Sequence, residues 1–389
     1  MNKLFKSQSL SVGLAMFSMF FGAGNVVFPL AVGIYSGDKN IYAMIGLVLT
    51  AVIMPIAGVV AMVLFDGNYR QFFGRLGKIP GSLLVLIIIS LIGPLGGTPR
   101  CIALSYSTLK MSFPDLSFII FSAVACCIIF LFTVRKNHIL SVLGWVLTPI
   151  LLCSLITIII MGLTSVPGMQ NINHTSMETF LHGLKEGYNT MDLLAAFFFS
   201  STILNVLRMK NKESKETSSS YVNIAFGASI IGALLLAIIY VSFSYLAVFH
   251  GSQLHVHGTD ELLAAITMKI AGANAGVLVC ITIAVACLTT AIALISVFTD
   301  FMQKEVLKGK VRYEVVLIIS LLLTFLVSTF RFTGVSSFLG PILQVCYPGL
   351  IALTALNIMY SLKDFKPIKA PVFSVFFISL CIYFLQRVF

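Results

Sequence analysis

Charge is what this chain has least of. Only 10% of its 389 residues are Asp, Glu, Lys or Arg, against about a quarter in soluble globular proteins. Apolar residues make up 58% and the mean hydropathy is +1.02. These values exclude a soluble domain and imply a chain that crosses a membrane many times. Acids are scarcer than bases, 14 against 25, giving a formal net charge of +11. That excess builds no continuous basic face for nucleic acid, because the bases sit in short loops between apolar runs, where they act as topology signals.

Other absences narrow the class further. The eight cysteines have no zinc-type pair spacing and all lie in apolar runs, which points to buried thiols rather than disulfides or a metal centre. No P-loop, glycine-rich phosphate motif or catalytic triad is present, so a nucleotide-driven pump and an enzyme are both disfavoured. No appended soluble sensor domain is expected from the sequence. Lys3 and Lys6 precede an apolar run, but the run is long and lacks a small-residue cleavage pattern, so it is expected to stay as a mature membrane helix.

Against a hydrocarbon core about 30 Å thick, the apolar runs define eleven spans: 7–34, 40–65, 81–109, 116–134, 138–163, 187–208, 221–249, 273–303, 313–331, 334–362 and 370–388. With the N-terminus in the cytoplasm, eighteen of the 25 Lys and Arg residues fall on the inside and six outside, while Arg100 lies within a span. Segments 164–186 and 250–272 are then external loops. The stretch HGSQLHVH at 250–257 reads as a solvated loop rather than a metal site, and 208–220 as a cytoplasmic connector.

Within this apolar background four stretches carry chemistry. FGAGNVVFP at 21–29 interrupts the first span with two glycines, an asparagine and a proline. Unwound backbone at membrane depth is tolerated only where protein or a polar cavity surrounds it, so the interruption reads either as a binding site or as a close helix contact through small residues. The sixth span begins GYNTMDLLAAFFFSST, 187–202, and contains Asp192, the only acid well inside a span. Arg100, the only base well inside a span, follows the breaks GPLGGTPR at 93–100 and is expected at the same depth. The two are expected to form a structural ion pair locking spans three and six. In the eighth span, AVACLTTAIAL at 284–294 offers the hydroxyls of Thr289 and Thr290 near the Ala286 carbonyl, a grouping that suits sodium or ordinary intrahelical bonding.

FGAGNVVFP, GPLGGTPR, GYNTMDLLAA, ACLTTAIAL and PILQVCYP at 341–348 together resemble the branched-chain amino acid:cation symporter family, the type II leucine, isoleucine and valine carriers of bacteria. The match runs in order along nearly the whole chain. The resemblance implies an all-α polytopic membrane protein with a LeuT-type core of five plus five inverted helices, helices 1 and 6 being discontinuous. It divides the chain into 1–163, 164–362 and an additional helix at 363–389. It implies import of a branched-chain amino acid through the bacterial cytoplasmic membrane, coupled to sodium or protons, with no other cofactor and with the bilayer as the other partner. The substrate carboxylate would meet the amides of Gly22, Ala23 and Gly24 beside Asn25, and the side chain would meet Phe198, Phe199 and Ser200. Sodium would take the carbonyls of Ser18, Phe21 and Ala286 and the hydroxyls of Thr289 and Thr290; Asn25 serves a second cation site or caps the broken helix. Another small neutral amino acid as substrate, or a sensor or scaffold without transport, are the alternatives. The chain departs from the family pattern at Ser107, where an acid is common, at Ser200, where a glycine is common, and in having eleven spans rather than twelve.

Overall fold

Lipid offers backbone amides and carbonyls no water to bond, so a spanning chain satisfies them within helices. The computed structural model describes residues 2–134, 148–164, 168, 171–212, 218–251, 254 and 258–388. Among these residues there is no strand. The helices are α1 (Asn2–Phe20), α2 (Ala23–Ser36), α3 (Asn40–Val48), α4 (Met54–Leu64), α5 (Tyr69–Gly74), α6 (Lys78–Ile92), α7 (Gly97–Lys110), α8 (Phe118–Val134), α9 (Thr148–Thr164), α10 (Ser176–Asn189), α11 (Asp192–Lys212), α12 (Ser218–His250), α13 (Leu262–Phe301), α14 (Tyr313–Ser328), α15 (Arg331–Lys363) and α16 (Lys369–Val388).

Among the described residues each expected span falls on helix, and several of the interruptions have local causes. The first span breaks between Phe20 and Ala23. The second passes through a π-turn at Leu49–Ile53, just ahead of Pro55, which has no amide to give the helix ladder. Glycines separate α6 from α7, and Gly272, at φ 74°, kinks α13. Residues 138–147 of the fifth span, and His255 and His257 of the histidine-rich stretch, lie outside the described residues.

The segments expected as external loops, 164–186 and 250–272, are partly helical. Helix α10 is too polar for a span, with His182, Lys185 and Glu186 on one short helix, but it is amphipathic and well capped. The Glu178 amide donates to the Thr175 hydroxyl at 3.2 Å and the Thr175 amide to Glu178 at 2.7 Å, a reciprocal cap written in the sequence as T-x-x-E. It lies against α3 because Gly183 has no Cβ, which would otherwise overlap the Ala43 carbonyl.

Packing puts the broken helices in the middle. Both α1 and α2 lie on α12, α11 lies on α4, and α7 lies on α13. Phe17, Phe21, Tyr240, Phe243 and Tyr347 are fully enclosed. Ile79 and Leu83 on α6, Ile119 and Ile120 on α8, Leu322 and Leu326 on α14 and Phe377 on α16 stay exposed, as an outer surface facing lipid requires. Among the described residues five segments, including Ala23–Leu64 and Ala275–Val306, have the length and apolarity to cross a bilayer, and six shorter apolar helices accompany them.

Candidate functional site

Two interruptions meet at one cavity. At the first, the helix ladder stops with the Phe21 amide on the Phe17 carbonyl. The next amide, Gly22, turns away and donates to Asn25 Oδ1 at 2.9 Å, so the Ser18 carbonyl loses the partner a continuous helix would supply. Asn25 therefore caps α2 from within its own first turn. Gly22 is extended, at φ −118°, so left-handed backbone is not why glycine stands there. A Cβ on Gly22 would come within 3.1 Å of Thr290 Cγ2, and one on Gly24 within 3.0 Å of Thr190 Cα. Both glycines serve close approach, Gly24 to the other interruption.

That second interruption lies at Thr190 and Met191, between α10 and α11, with Met191 at φ 64°. It is held from outside. The Leu193 amide, one of the unsatisfied donors at the start of α11, donates to the Tyr347 hydroxyl at 3.0 Å. Arg100 Nη1 donates to the Asn189 carbonyl at 2.8 Å and approaches Met191 Sδ at 3.3 Å. The Thr190 hydroxyl donates to the Gly187 carbonyl at 2.9 Å. Helix α11 itself runs unbroken through Ser200, whose hydroxyl bonds back to the Ala196 carbonyl four residues earlier. Ser200, which departs from the family glycine, thus lies within continuous helix, ten residues past the interruption at Thr190.

Asn25 joins the two interruptions. Its Nδ2 donates to both carboxylate oxygens of Asp192, at 3.0 and 2.8 Å, and also meets the Tyr240 hydroxyl, which donates to Asp192 Oδ2 at 2.8 Å. All three side chains are buried. Asp192 opens α11, where the helix dipole favours negative charge. The expected Arg100–Asp192 ion pair is not formed: Arg100 bonds the backbone and thioether of the second interruption, with its guanidinium 5.3 Å from the Phe28 ring and 5.8 Å from the Phe332 ring. Both side chains line the cavity instead of bracing two helices against each other.

The cavity encloses about 420 Å³ of atom-free space, its mouth included. Of the residues named as substrate contacts, Gly22, Ala23, Gly24, Asn25 and Phe199 line it, and Thr290 joins them. Phe198 and Ser200 do not. Phe198 packs 5.8 Å from Tyr69, because one residue along a helix turns the side chain by about 100°. Beside the cavity the expected cation oxygens converge. The Thr290 hydroxyl lies 3.0 Å from the Phe21 carbonyl and 3.2 Å from that of Ala286, which also accepts from Thr289 at 2.7 Å. Ser18 lies one turn earlier on α1, half-buried, with no side-chain bond to this group.

Tyr240, Thr190 and Met191 escaped the sequence reading. A lone tyrosine in the apolar run of α12 is a legible signal; a methionine with positive φ is not. Ser107 donates to Asp260, so a carboxylate from another segment faces the position where the resemblance implies an acid.

Comparison with known proteins agrees with the fold. The fold is similar to that of Mhp1 in an inward-facing conformation, with a TM-score of 0.62 and 13% identity over 92% of this chain and 78% of that one. It is similar also to a Na⁺-coupled sialic acid symporter in a substrate-bound outward-open state, with a TM-score of 0.59 and 10% identity over 96% and 88% of the two chains. At such identity the likeness establishes the fold, a LeuT-type transporter fold. A Staphylococcus aureus protein named as a branched-chain amino acid carrier is 29% identical over 402 residues, covering 95% of this chain and 86% of that protein. A protein of the same description from Staphylococcus epidermidis is 28% identical, over 92% and 83%. The sequence model of one family spans residues 5–387. A multi-pass membrane transporter rather than an enzyme, the chain belongs to the branched-chain amino acid transport protein family.

Proposed function

We propose that the protein imports leucine, isoleucine and valine through the bacterial cytoplasmic membrane by alternating access, with sodium or proton entry supplying the energy and the N-terminus in the cytoplasm. One observation carries the reading: a single cavity lined by both helix interruptions, by a buried cation and a buried anion, and by apolar side chains. An α-amino acid needs these three environments together. Amides at the start of α2, Ala23 and Gly24, favour the carboxylate, since the Gly22 amide is already taken by Asn25. Phe20, Phe199 and Leu294 offer the branched side chain an apolar wall. The carbonyls of Phe21 and Ala286 with the hydroxyls of Thr289 and Thr290 are the oxygens a sodium ion would take in place of their present mutual bonds, with the freed Ser18 carbonyl as a further ligand. Filling that group would tie α1 to α13, which gives a cation differential affinity for one conformational state and so couples it to substrate.

Radiolabelled leucine uptake into proteoliposomes under imposed sodium and proton gradients tests this. Accumulation driven by a gradient is expected, with Thr290→Ala reducing the sodium-driven part at least ~10-fold. Absence of any gradient-driven accumulation overturns transport, and accumulation on a proton gradient with no response to sodium removes the sodium site. Competition by valine, isoleucine, alanine and methionine in the same assay fixes the substrate class.

A further inference from the structure

We propose that Arg100 and Asp192 are the two charged anchors of the substrate, Arg100 taking the α-carboxylate through its Nε–Nη2 edge and Asp192 taking the α-ammonium through Oδ1. The inference rests on the amino acid transport reading and assigns the polar ends of that substrate to side chains rather than to helix termini alone.

Hydrogen-bond capacity carries the argument. A guanidinium has five N–H donors and no acceptor. Nη1 of Arg100 is committed to the Asn189 carbonyl and Met191 Sδ, while Nε and Nη2 have no partner although the residue is only 2% exposed. The Glu186 carboxylate is near enough to offset part of the charge, but the two nitrogens stay without a hydrogen bond, and buried donors left unpaired are costly and rarely retained without a use. The unpartnered atoms form one of the two edges on which guanidinium binds a carboxylate with two parallel bonds. Phe28 and Phe332 lie near the guanidinium, and the Asn189 carbonyl holds its other end, so the free edge is fixed without being filled. A carboxylate has about four acceptor sites. Oδ2 of Asp192 accepts from Asn25 and Tyr240 and Oδ1 from Asn25; the Thr190 hydroxyl also lies beside the carboxylate but gives its one hydrogen to the Gly187 carbonyl, which leaves one acceptor site on Oδ1. Both groups line the same cavity without pairing with each other. Two opposite charges kept apart on residues that line one cavity, each with spare hydrogen-bond capacity, fit a zwitterion.

The test uses purified full-length protein and displacement of radiolabelled leucine by unlabelled leucine, by isocaproate, which lacks the ammonium, and by isoamylamine, which lacks the carboxylate. In the wild type, leucine should outcompete each analogue by about 10- to 100-fold, the worth of a hydrogen bond to a charged group. Asp192→Asn should weaken leucine by a similar factor and leave isocaproate unchanged; Arg100→Gln should weaken leucine and leave isoamylamine unchanged. Arg100→Lys keeps the charge without the fork and should give the same pattern with a smaller loss, which retains the test if the glutamine variant does not fold. Leucine affinity within about 3-fold of wild type in both variants, or equal weakening of all three ligands, overturns the assignment. Failure of the wild type to bind leucine at all is a different result, and it removes the amino acid reading on which the assignment rests.

Discussion

The two helix interruptions solve one problem by opposite means. At Gly22 the chain supplies everything locally: two glycines that permit close approach and an asparagine three residues on that caps the new helix. At Met191 there is no glycine, and a residue with a full side chain sits at φ 64°. Such a conformation costs of order 1 kcal/mol or more and persists only when its surroundings enforce it. Here those surroundings are Arg100 on α7, Tyr347 on α15 and Thr190 itself. The first interruption is a property of a nonapeptide; the second is a property of the packed bundle. A transporter built this way ties the geometry of its second interruption to helices α7 and α15, so movement of those helices reaches the cavity.

Four substitutions break or sharpen that contrast. The largest effect is expected for Asn25→Ala, which removes the cap of α2 and two donors to Asp192 at once. A loss of about 3 kcal/mol in stability, seen as a lowered unfolding temperature in detergent, should accompany loss of leucine uptake. Gly24→Ala comes next: its Cβ meets Thr190 backbone at 3.0 and 3.1 Å, and backbone cannot swing aside. Forcing the interruptions apart should cost about 2 kcal/mol and raise the half-saturating leucine concentration. Tyr347→Phe leaves the Leu193 amide unpaired in a buried place, a loss of about 1 to 2 kcal/mol; if the second interruption depends on remote support, amide exchange at Met191 to Leu193 should quicken in this variant while that at Gly22 stays unchanged. Ser200→Ala is expected to change least, within about 0.5 kcal/mol and with uptake near wild type, because its hydroxyl only bonds back to the Ala196 carbonyl. A large loss of uptake there would restore Ser200 to the cavity wall.

Much of the first interruption was open to sequence reading, because glycine, asparagine and proline act through backbone sterics and hydrogen bonding within a few residues. The convergence of Thr289, Thr290 and Ala286 was readable for the same reason, since helical spacing sets which carbonyl a hydroxyl meets. The Asp192 and Arg100 positions were visible as lone charges in apolar runs, but their partners were not. Charge at matching depth predicted a pair; the fold instead gave the donors to Asp192 from Asn25 and Tyr240, and gave Arg100 a backbone carbonyl. Helix α10 was hidden because a ruler for apolar length is blind to an amphipathic helix, although its T-x-x-E cap was written in the chain.

Composition and hydropathy determined that the protein is helical and crosses the membrane repeatedly, since lipid leaves the backbone no other way to satisfy its hydrogen bonds. Local residue chemistry determined where the first helix stops. Tertiary structure alone decided where the sixth span breaks, which side chain of the Phe197–Phe199 run faces the cavity, and that Arg100 and Asp192 stand apart. These depend on contacts between residues far apart in the chain, 167 positions between Asn25 and Asp192 for one, and no pattern along the chain encodes which of many polar groups will arrive at the same place.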